Sequence, residues 1–264
     1  MEHRSVDEHV AGLRAAVEAF AAAARGAGPD ARVPTCPAWT VRKLLAHQGM
    51  VHRWARANLL GQECHPPSWN AEGQQVEDPV AWLAQGADAL TATSESVPED
   101  VRAMVFLKDA PAPRVFWARR QCHETTIHAA DAVAASLGRP PVPGDVGWID
   151  DAVALDGIDE LLTGFVTRGR ARFAGAGPRA FEVRPEGGAR RWAVEIGADG
   201  AVRTRRTGST AERAAGADDG DRAGLEGSAV GLYLALWNRA APGAVDDPSG
   251  VLDLWRRHAR VRWS

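Results

Sequence analysis

The sequence contains very little lysine, few cysteines and no long hydrophobic run. Lys43 and Lys108 are its only lysines, so nearly all of the 31 basic residues are arginines. The cysteines, Cys36, Cys64 and Cys122, are odd in number, widely spaced and without a C-x-x-C pair, which argues against a disulfide framework or a structural zinc knuckle. No stretch approaches the ~20 apolar residues of a membrane span, and acids stand at the start where a signal peptide has a basic region. We therefore expect a soluble protein of the reducing cytoplasm.

The charge balance is close to neutral. With 31 basic and 34 acidic residues, the formal net charge is −3, so no overall field would draw the chain to nucleic acid or to an anionic membrane. A small molecule is the expected partner, with no nucleic acid and no membrane. The length of 264 residues fits one large domain or two modest ones.

Apolar spacing and helix-start signals predict four long helices in the first half of the chain. From Val6 to Arg25, apolar side chains recur every three or four residues, as on one face of an amphipathic helix. Thr40 is a candidate N-cap for a helix to about Leu60, Asp78-Pro79 opens a helix towards Val97, and a fourth helix runs from about Pro113 to Leu137. Loops rich in proline and glycine separate them without a strand signal. Residues 1–145 are therefore predicted to form an antiparallel four-helix bundle.

The pattern changes after the proline-rich stretch Arg139–Gly144, which is the predicted linker. A helix from about Trp148 to Arg168 is expected, and a second helix over 228–237. Between them, short alternating runs with glycine-containing turns predict an antiparallel meander. These runs are Phe181–Arg184, Arg191–Ile196 and Ala201–Arg206. With a polar, glycine-rich loop at 211–227, residues 146–264 are predicted to form a small α+β domain, which makes the whole chain an α+β protein.

The fourth helix carries the most informative spacing. Glu124 and His128 are four residues apart, so both side chains can reach one point from one helix face. Trp117, Gln121 and Asp131 lie on that same face, beside a separate apolar stripe. A polar row next to a core stripe is what an interior metal or catalytic site in a bundle requires. An exposed face with a Glu–His pair would show the same spacing.

The second helix offers two histidines as partners. His47 and His52 are five residues apart and point ~140° away from each other, so they cannot easily share one site. Periodicity places His52 nearer the apolar stripe and His47 on its flank. The helical pattern alone does not choose between them, and either residue is also consistent with a satisfied core or boundary histidine.

Three segments of the chain follow the pattern of one known family. The first runs from Thr35-Cys-Pro-Ala-Trp through His47 to Trp54, the second is Glu124–Asp131 and the third is Gly231–Arg239. In this order they resemble the signatures of the mycothiol-dependent maleylpyruvate isomerase family, a branch of the DinB-like metal-binding superfamily. The resemblance spans nearly the whole chain and implies a DinB-like four-helix bundle followed by the small α+β domain.

The resemblance implies a divalent metal, usually zinc, held by His47, Glu124 and His128. Two imidazoles and one carboxylate suit zinc and leave an open coordination position. Mycothiol, the low-molecular-weight thiol of actinobacteria, would bind there as a thiolate; an actinobacterial source agrees with the arginine-rich composition. The thiolate would add to an electrophilic small molecule, giving either cis–trans isomerisation or S-transfer. The sequence does not separate these two outcomes.

Further residues are proposed in supporting roles. Arg239, in the C-terminal motif, is the candidate catalytic residue that binds a substrate carboxylate, although a surface arginine would fit the composition too. Asp131 is a candidate acceptor for the second ring nitrogen of His128. Gln48 departs from the family pattern, in which a small or apolar residue often follows the histidine. Three tryptophans are candidates for the walls of the site: Trp39, Trp54 and Trp117.

Two further functions remain open at the level of sequence. One is a non-catalytic DinB-like protein that binds a metal or a small ligand. The other is a metal-dependent hydrolase that activates water in place of a thiol. Thiol-dependent turnover would distinguish the isomerase or transferase from both. A monomer or a small homo-oligomer is expected.

Overall fold

The structure is a computed structural model in which the chain divides into two compact units. These are Met1–Phe106 with Ala110–Ile149, and Leu107–Asp109 with Asp150–Ser264. The residues described are 4–107, 110–168, 173–187, 190–207 and 223–259. The first unit is helical and the second combines helices with a sheet, so the predicted α+β class is confirmed.

Four long helices and one short helix build the first unit. They are α1 (Val6–Ala27), α2 (Val41–Leu59), α3 (Pro66–Gln75), α4 (Pro79–Ser96) and α5 (Pro113–Leu137). The first, α1, packs against α4 and α5, while α2 packs against α3, α4 and α5. The long helices agree with the prediction. The short α3 was not expected, because among its ten residues only Gly73 is buried and no apolar stripe marks it.

Local signals set the ends of the helices that matter for the site. The Thr40 side chain accepts a hydrogen bond from the backbone N–H of Lys43 at the start of α2. Asp78 accepts two backbone N–H groups at the start of α4. Pro113 occupies the first turn of α5, and Gly138 ends that helix in the left-handed conformation at φ 68°. The polar segment of α5 is therefore held in the middle of a long, well-terminated helix.

The first unit has its core between its long helices, with α5 innermost. Every side chain of α5 from Phe116 to Ala132 is buried. The alternative of an exposed face around Glu124 and His128 is therefore wrong. One apolar cluster of this core consists of Ala16, Phe20, Ala24, Val33, Val41, Leu44, Leu45, Val80, Leu83, Ala129 and Ala132.

Three helices lie in the described part of the second unit. They are α6 (Asp151–Asp159), α7 (Ala229–Leu236) and α8 (Val251–His258), and α6 continues into a π-helical segment over Glu160–Phe165. The helix predicted from about Trp148 to Arg168 is thus shorter and changes its hydrogen-bonding pattern midway. It begins after Asp150, whose carboxylate caps the backbone N–H of Val153.

Among the described residues of the second unit, four strands form one sheet. They are β1 (Arg179–Pro185), β2 (Arg191–Ile196), β3 (Val202–Thr207) and β4 (Gly224–Gly227), in the order β3-β2-β1-β4. The pairs β1–β2 and β2–β3 are antiparallel, which confirms the meander, and β4 adds in parallel to β1. The predicted loop over 211–227 is wrong at its end, where β4 lies; its residues up to 222 are outside the described residues.

Buried apolar side chains face each other across β1 and β2. Phe181 pairs with Val194 and Val183 with Trp192, and all four side chains are buried. Gly200 supplies the positive φ of 77° in the turn before β3. Among the described helices, none combines the length and apolar content that crossing a membrane demands.

Candidate metal centre

Two packed helices of the first unit bring the three predicted ligands together. His47 lies on α2, and Glu124 and His128 lie one turn apart on α5. Glu124 Oε1 is 3.9 Å from His47 Nε2 and 3.4 Å from His128 Nε2. One ligand atom from each residue lies within 4.8 Å of the other two. We call these three residues the triad.

The atoms that face each other in the triad are buried polar atoms with unmet bonding capacity. Within the part of the chain that the structure describes, His47 Nε2 and Glu124 Oε1 have no hydrogen-bond partner. Leaving such atoms buried without a partner is costly. Two imidazole nitrogens and one carboxylate oxygen are also a donor set that zinc and related ions accept. The residues therefore fit a divalent cation.

The surroundings set the charges of the triad. Burial lowers the pKa of His47, so its imidazole is neutral. Burial alone would raise the pKa of Glu124, but the charge of Arg120 and the two facing histidine rings hold it well below its usual range. Burial also opposes the charged form of His128, whereas Asp131 and Glu124 outweigh it and raise the pKa of His128 to about 9. A cation that binds to the triad would displace this proton.

Asp131 orients His128 from the side away from the triad. Its Oδ2 atom is 3.0 Å from His128 Nδ1, so the expected contact is confirmed. The same carboxylate accepts a hydrogen bond from Thr35 Oγ1 at 2.5 Å and from Cys36 Sγ at 3.6 Å. Asp131 thereby ties the loop before α2 to α5 and leaves Nε2 of His128 directed at Glu124.

Arg120 contacts the triad from within the core, and the sequence analysis did not identify it. Its Nη2 atom donates to Glu124 Oε2 at 2.9 Å, and its side chain is completely buried. The i,i+4 spacing from Arg120 to Glu124 was visible in the sequence. That signal is weak, because such pairs are common on exposed helices.

Of the three predicted wall residues, Trp39 touches the triad. Its ring centroid is 4.9 Å from that of His47 and 6.0 Å from that of His128. Trp54 and Trp117 contact each other edge to face at 4.9 Å, in an aromatic cluster with Phe106. Trp54 follows His47 by seven residues on α2, and Trp117 precedes Glu124 by seven residues on α5. Each tryptophan therefore lies two helical turns from a triad residue, on the same helix face.

His52 belongs to a separate polar network between α2 and α5. Its Nε2 is 2.9 Å from both Gln48 Nε2 and Thr125 Oγ1, and Gln48 also donates to Thr125 at 3.0 Å. Burial lowers the pKa of His52 to about 3, so the ring is neutral. The network gives His52 a structural role and explains why a polar Gln48 follows His47.

A comparison with known families identifies this helical unit. Residues 10–133 match the family model of the mycothiol maleylpyruvate isomerase N-terminal domain, a range that includes the whole triad. The match covers most of the helical unit and slightly less than half of the chain. Among the curated proteins, the search finds no match to the chain.

Solved structures of a maleylpyruvate isomerase share the fold. The chain is similar to a crystal structure of the mycothiol-dependent maleylpyruvate isomerase, with a TM-score of 0.59 and 15% identity over 94% of both chains. A histidine-to-alanine mutant of that enzyme gives a TM-score of 0.58 at the same identity and coverage. Both alignments extend beyond the maleylpyruvate isomerase N-terminal domain into the second unit.

Arg239, the candidate catalytic residue, lies in the second unit just after α7. Asn238 adopts the left-handed conformation at φ 61°. The backbone N–H of Asn238 donates to Ala235 O at 3.0 Å and that of Arg239 to Leu234 O at 2.7 Å. This is the Schellman pattern of a helix end. The Arg239 guanidinium donates to the carbonyl of Trp237 at 2.7 Å.

Proposed function

We propose that this chain is a divalent-metal-dependent enzyme that uses mycothiol as a thiol cofactor or cosubstrate and acts on an electrophilic small molecule. The observation that carries the proposal is the convergence of His47, Glu124 and His128 within 4.8 Å. It occurs inside a domain that matches the mycothiol maleylpyruvate isomerase family. The family match supports an enzyme, and the triad supports a metal site.

Zinc is the proposed metal. His47, Glu124 and His128 supply two nitrogens and one oxygen, and a set of three protein ligands with one open position is typical of catalytic zinc. A divalent cation bound there would lower the pKa of a thiol beside it and so provide the thiolate at neutral pH. Asp131 holds the Nδ1 side of His128, and Trp39 covers part of both histidine rings.

The proposed reaction begins with addition of the thiol sulfur to an electron-poor carbon. Mycothiol would supply the sulfur nucleophile for an isomerisation of maleylpyruvate: its reversible addition to the double bond, with the electron pair taken up by the conjugated carbonyl, would permit rotation before the double bond is restored. In an S-transfer, the C–S bond persists. Both reactions require the same thiol site, and both remain within the proposal.

Arg239 is the proposed substrate-binding residue. Guanidinium groups bind carboxylates through paired hydrogen bonds, and maleylpyruvate carries carboxylates. The backbone pattern of Asn238 and Arg239 at the end of α7 fixes where this side chain starts. This role is proposed from the position of Arg239 in the C-terminal motif.

The test combines metal analysis with thiol binding. Purified protein is expected to hold about one divalent metal per chain, to bind mycothiol only when that metal is present, and to turn over maleylpyruvate or another electrophile only with mycothiol. The variants H47A and E124Q should bind the metal far more weakly than the wild type, whereas H52Q should keep the wild-type affinity. Turnover without thiol would replace the proposal with a hydrolase, and metal binding without turnover would favour a ligand-binding protein. Retention of full metal by H47A would overturn the triad.

A further inference from the structure

The two oxygens of the Glu124 carboxylate have different neighbours. Oε1 faces the Nε2 atoms of His47 and His128, at 3.9 and 3.4 Å. Oε2 accepts a hydrogen bond from Arg120 Nη2 at 2.9 Å. The first oxygen lacks a hydrogen-bond partner among the described residues, while the second is engaged. One oxygen of the carboxylate therefore faces the two triad histidines, and the other is bound by a buried arginine of the core.

Breaking the contact between Arg120 and Glu124 would be energetically costly. The Arg120 side chain is 0% exposed and that of Glu124 is 4% exposed. A charge-assisted hydrogen bond is among the strongest side-chain contacts, and its loss would separate a buried guanidinium from its carboxylate. Rotation of Glu124 to offer both oxygens to one ion would cause that loss.

We propose that Arg120 restricts Glu124 to a single donor oxygen, Oε1, and thereby makes the triad selective for small divalent cations of low coordination number. The inference rests on the proposed function, because it assumes that the triad binds a metal. It assigns to Arg120 a positioning role that acts through Glu124. The cation class favoured is zinc-like, and the class rejected comprises Mn²⁺ and Ca²⁺.

The selectivity follows from the number and type of donors. Zinc is usually four-coordinate in proteins and accepts nitrogen ligands readily. Ca²⁺ takes six to eight oxygen ligands, often with bidentate carboxylates, and Mn²⁺ also prefers oxygen-rich sites. With Oε2 held by Arg120, the triad offers one carboxylate oxygen rather than two. Removal of Arg120 would free the second oxygen and favour the larger coordination numbers.

The test measures metal affinity on the full-length, metal-free protein, without any activity assay. Dissociation constants for Zn²⁺ and Mn²⁺ are determined by competition with a chromophoric chelator for the wild type, R120K and R120M. In R120M, Zn²⁺ binding should weaken about 10- to 100-fold, as is usual when the partner of a ligand is removed. Mn²⁺ binding should weaken less or improve, so that the Zn²⁺ to Mn²⁺ preference falls at least about tenfold. R120K keeps the charge and should show a smaller change.

The absorption spectrum of the Co²⁺-loaded protein gives an independent readout. Visible bands of Co²⁺ are intense in four-coordinate sites and weak in six-coordinate sites, so R120M should show reduced intensity. The matched control is R114M, on the same helix, since the Arg114 guanidinium bonds the carbonyls of Ser94 and Glu95 rather than Glu124. R114M should leave both the preference and the spectrum unchanged.

A double variant separates a role through Glu124 from a general structural effect. If Arg120 acts through Glu124, adding R120M to E124Q should change the Zn²⁺ to Mn²⁺ preference less than about twofold, because the two effects are coupled. The double variant also removes both charges of the buried pair, which keeps the comparison available if R120M alone does not fold. Circular dichroism checks folding in each case.

The outcomes distinguish this inference from the proposed function. Equal weakening of Zn²⁺ and Mn²⁺ in R120M, with an unchanged Co²⁺ spectrum, would overturn the selectivity role while leaving the metal site intact. Wild-type metal affinity in both H47A and E124Q would instead remove the metal site itself, and the inference with it.

Discussion

Asp131 Oδ2 lies 3.0 Å from Nδ1 of His128, the ring nitrogen that faces away from the triad. This contact selects the tautomer that leaves Nε2 available as a ligand atom. Because Asp131 also accepts from Thr35, the orientation of His128 is tied to the loop that precedes α2. The geometry of the triad thus depends on a residue that does not itself belong to it.

Replacing Asp131 tests this dependence. In D131A, the metal affinity of the metal-free protein should fall about 10- to 100-fold, since His128 loses the partner that orients its ring. The metal affinity of D131N, which keeps one acceptor oxygen, should fall less. The measurement is competition with a chelator, and D88N, at an exposed position of α4, is the control. An unchanged affinity in D131A would show that the contact has no role in metal binding.

The buried neutral His52 predicts a specific dependence of stability on pH. Its pKa is lowered to about 3 in the folded state, whereas an unfolded chain protonates histidine near pH 6.5. The unfolded state therefore binds more protons below pH 6.5, and the stability present above that pH is lost as the pH falls. Each pH unit in this range costs about 1.4 kcal/mol for one such group.

The variant H52Q isolates this contribution. Glutamine does not titrate and is long enough to reach Thr125. Between pH 6.5 and pH 5, the free energy of unfolding of H52Q should therefore fall by about 1 to 2 kcal/mol less than that of the wild type. Urea unfolding of the metal-free proteins at several pH values measures the difference. H65Q removes a histidine whose side chain is 52% exposed and should follow the wild type. Parallel curves for H52Q and the wild type would contradict the prediction.

Much of the first unit was predictable because its signals are local. The caps at Thr40 and Asp78, and Pro113 at the start of α5, fixed the helix bounds closely. The i,i+4 spacing of Glu124 and His128 placed both on one face before any packing was known. The short helix α3 was not predicted, because no apolar stripe marks it.

The choice of partner histidine could not come from periodicity. A helical wheel places His52 nearer the apolar stripe than His47, and the structure indeed buries His52 completely. Only the tertiary structure shows that His47 Nε2 faces Glu124, whereas Nε2 of His52 contacts Gln48 and Thr125. Arg120 could not be identified from the sequence either, because only packing shows that this arginine is buried against Glu124.

Close packing of Trp82 on α2 and α3 predicts that Gly49 cannot be enlarged. A Cβ at Gly49 would overlap the indole ring of Trp82, and a Cβ at Gly73 would lie 2.7 Å from the ring. G49A should destabilise the protein by about 1 to 3 kcal/mol through overpacking, which exceeds the gain of roughly 1 kcal/mol in helix propensity. Because Gly49 follows His47 by two residues, metal affinity should fall as well.

Thermal or urea unfolding of metal-free G49A checks this expectation. G144A is the matched control, since no atom lies within 4 Å of the position of its added Cβ and its φ is not in the left-handed region. G144A should match the wild type in stability and metal affinity. A G49A variant as stable as the wild type would mean that Trp82 moves at little cost.

The substrate-binding role proposed for Arg239 predicts a kinetic effect that depends on the substrate carboxylate. In R239M, kcat/KM for maleylpyruvate should fall about 10- to 100-fold, the loss expected for hydrogen bonds to a charged group of roughly 1.5–3 kcal/mol. R239K should recover only part of it, because an ammonium lacks the paired geometry of a guanidinium. Mycothiol and metal affinities should not change.

The backbone provides the control for this experiment. Asn238 has a φ of 61° immediately before Arg239. N238G should therefore keep both the helix end and the activity, whereas N238V should strain the backbone at the helix end. If activity falls in N238V and returns in N238G, the placement of Arg239 by the Schellman turn matters for the reaction. If R239M retains full kcat/KM, then the carboxylate is bound by another residue, and the resemblance in the C-terminal motif reflects only the helix end.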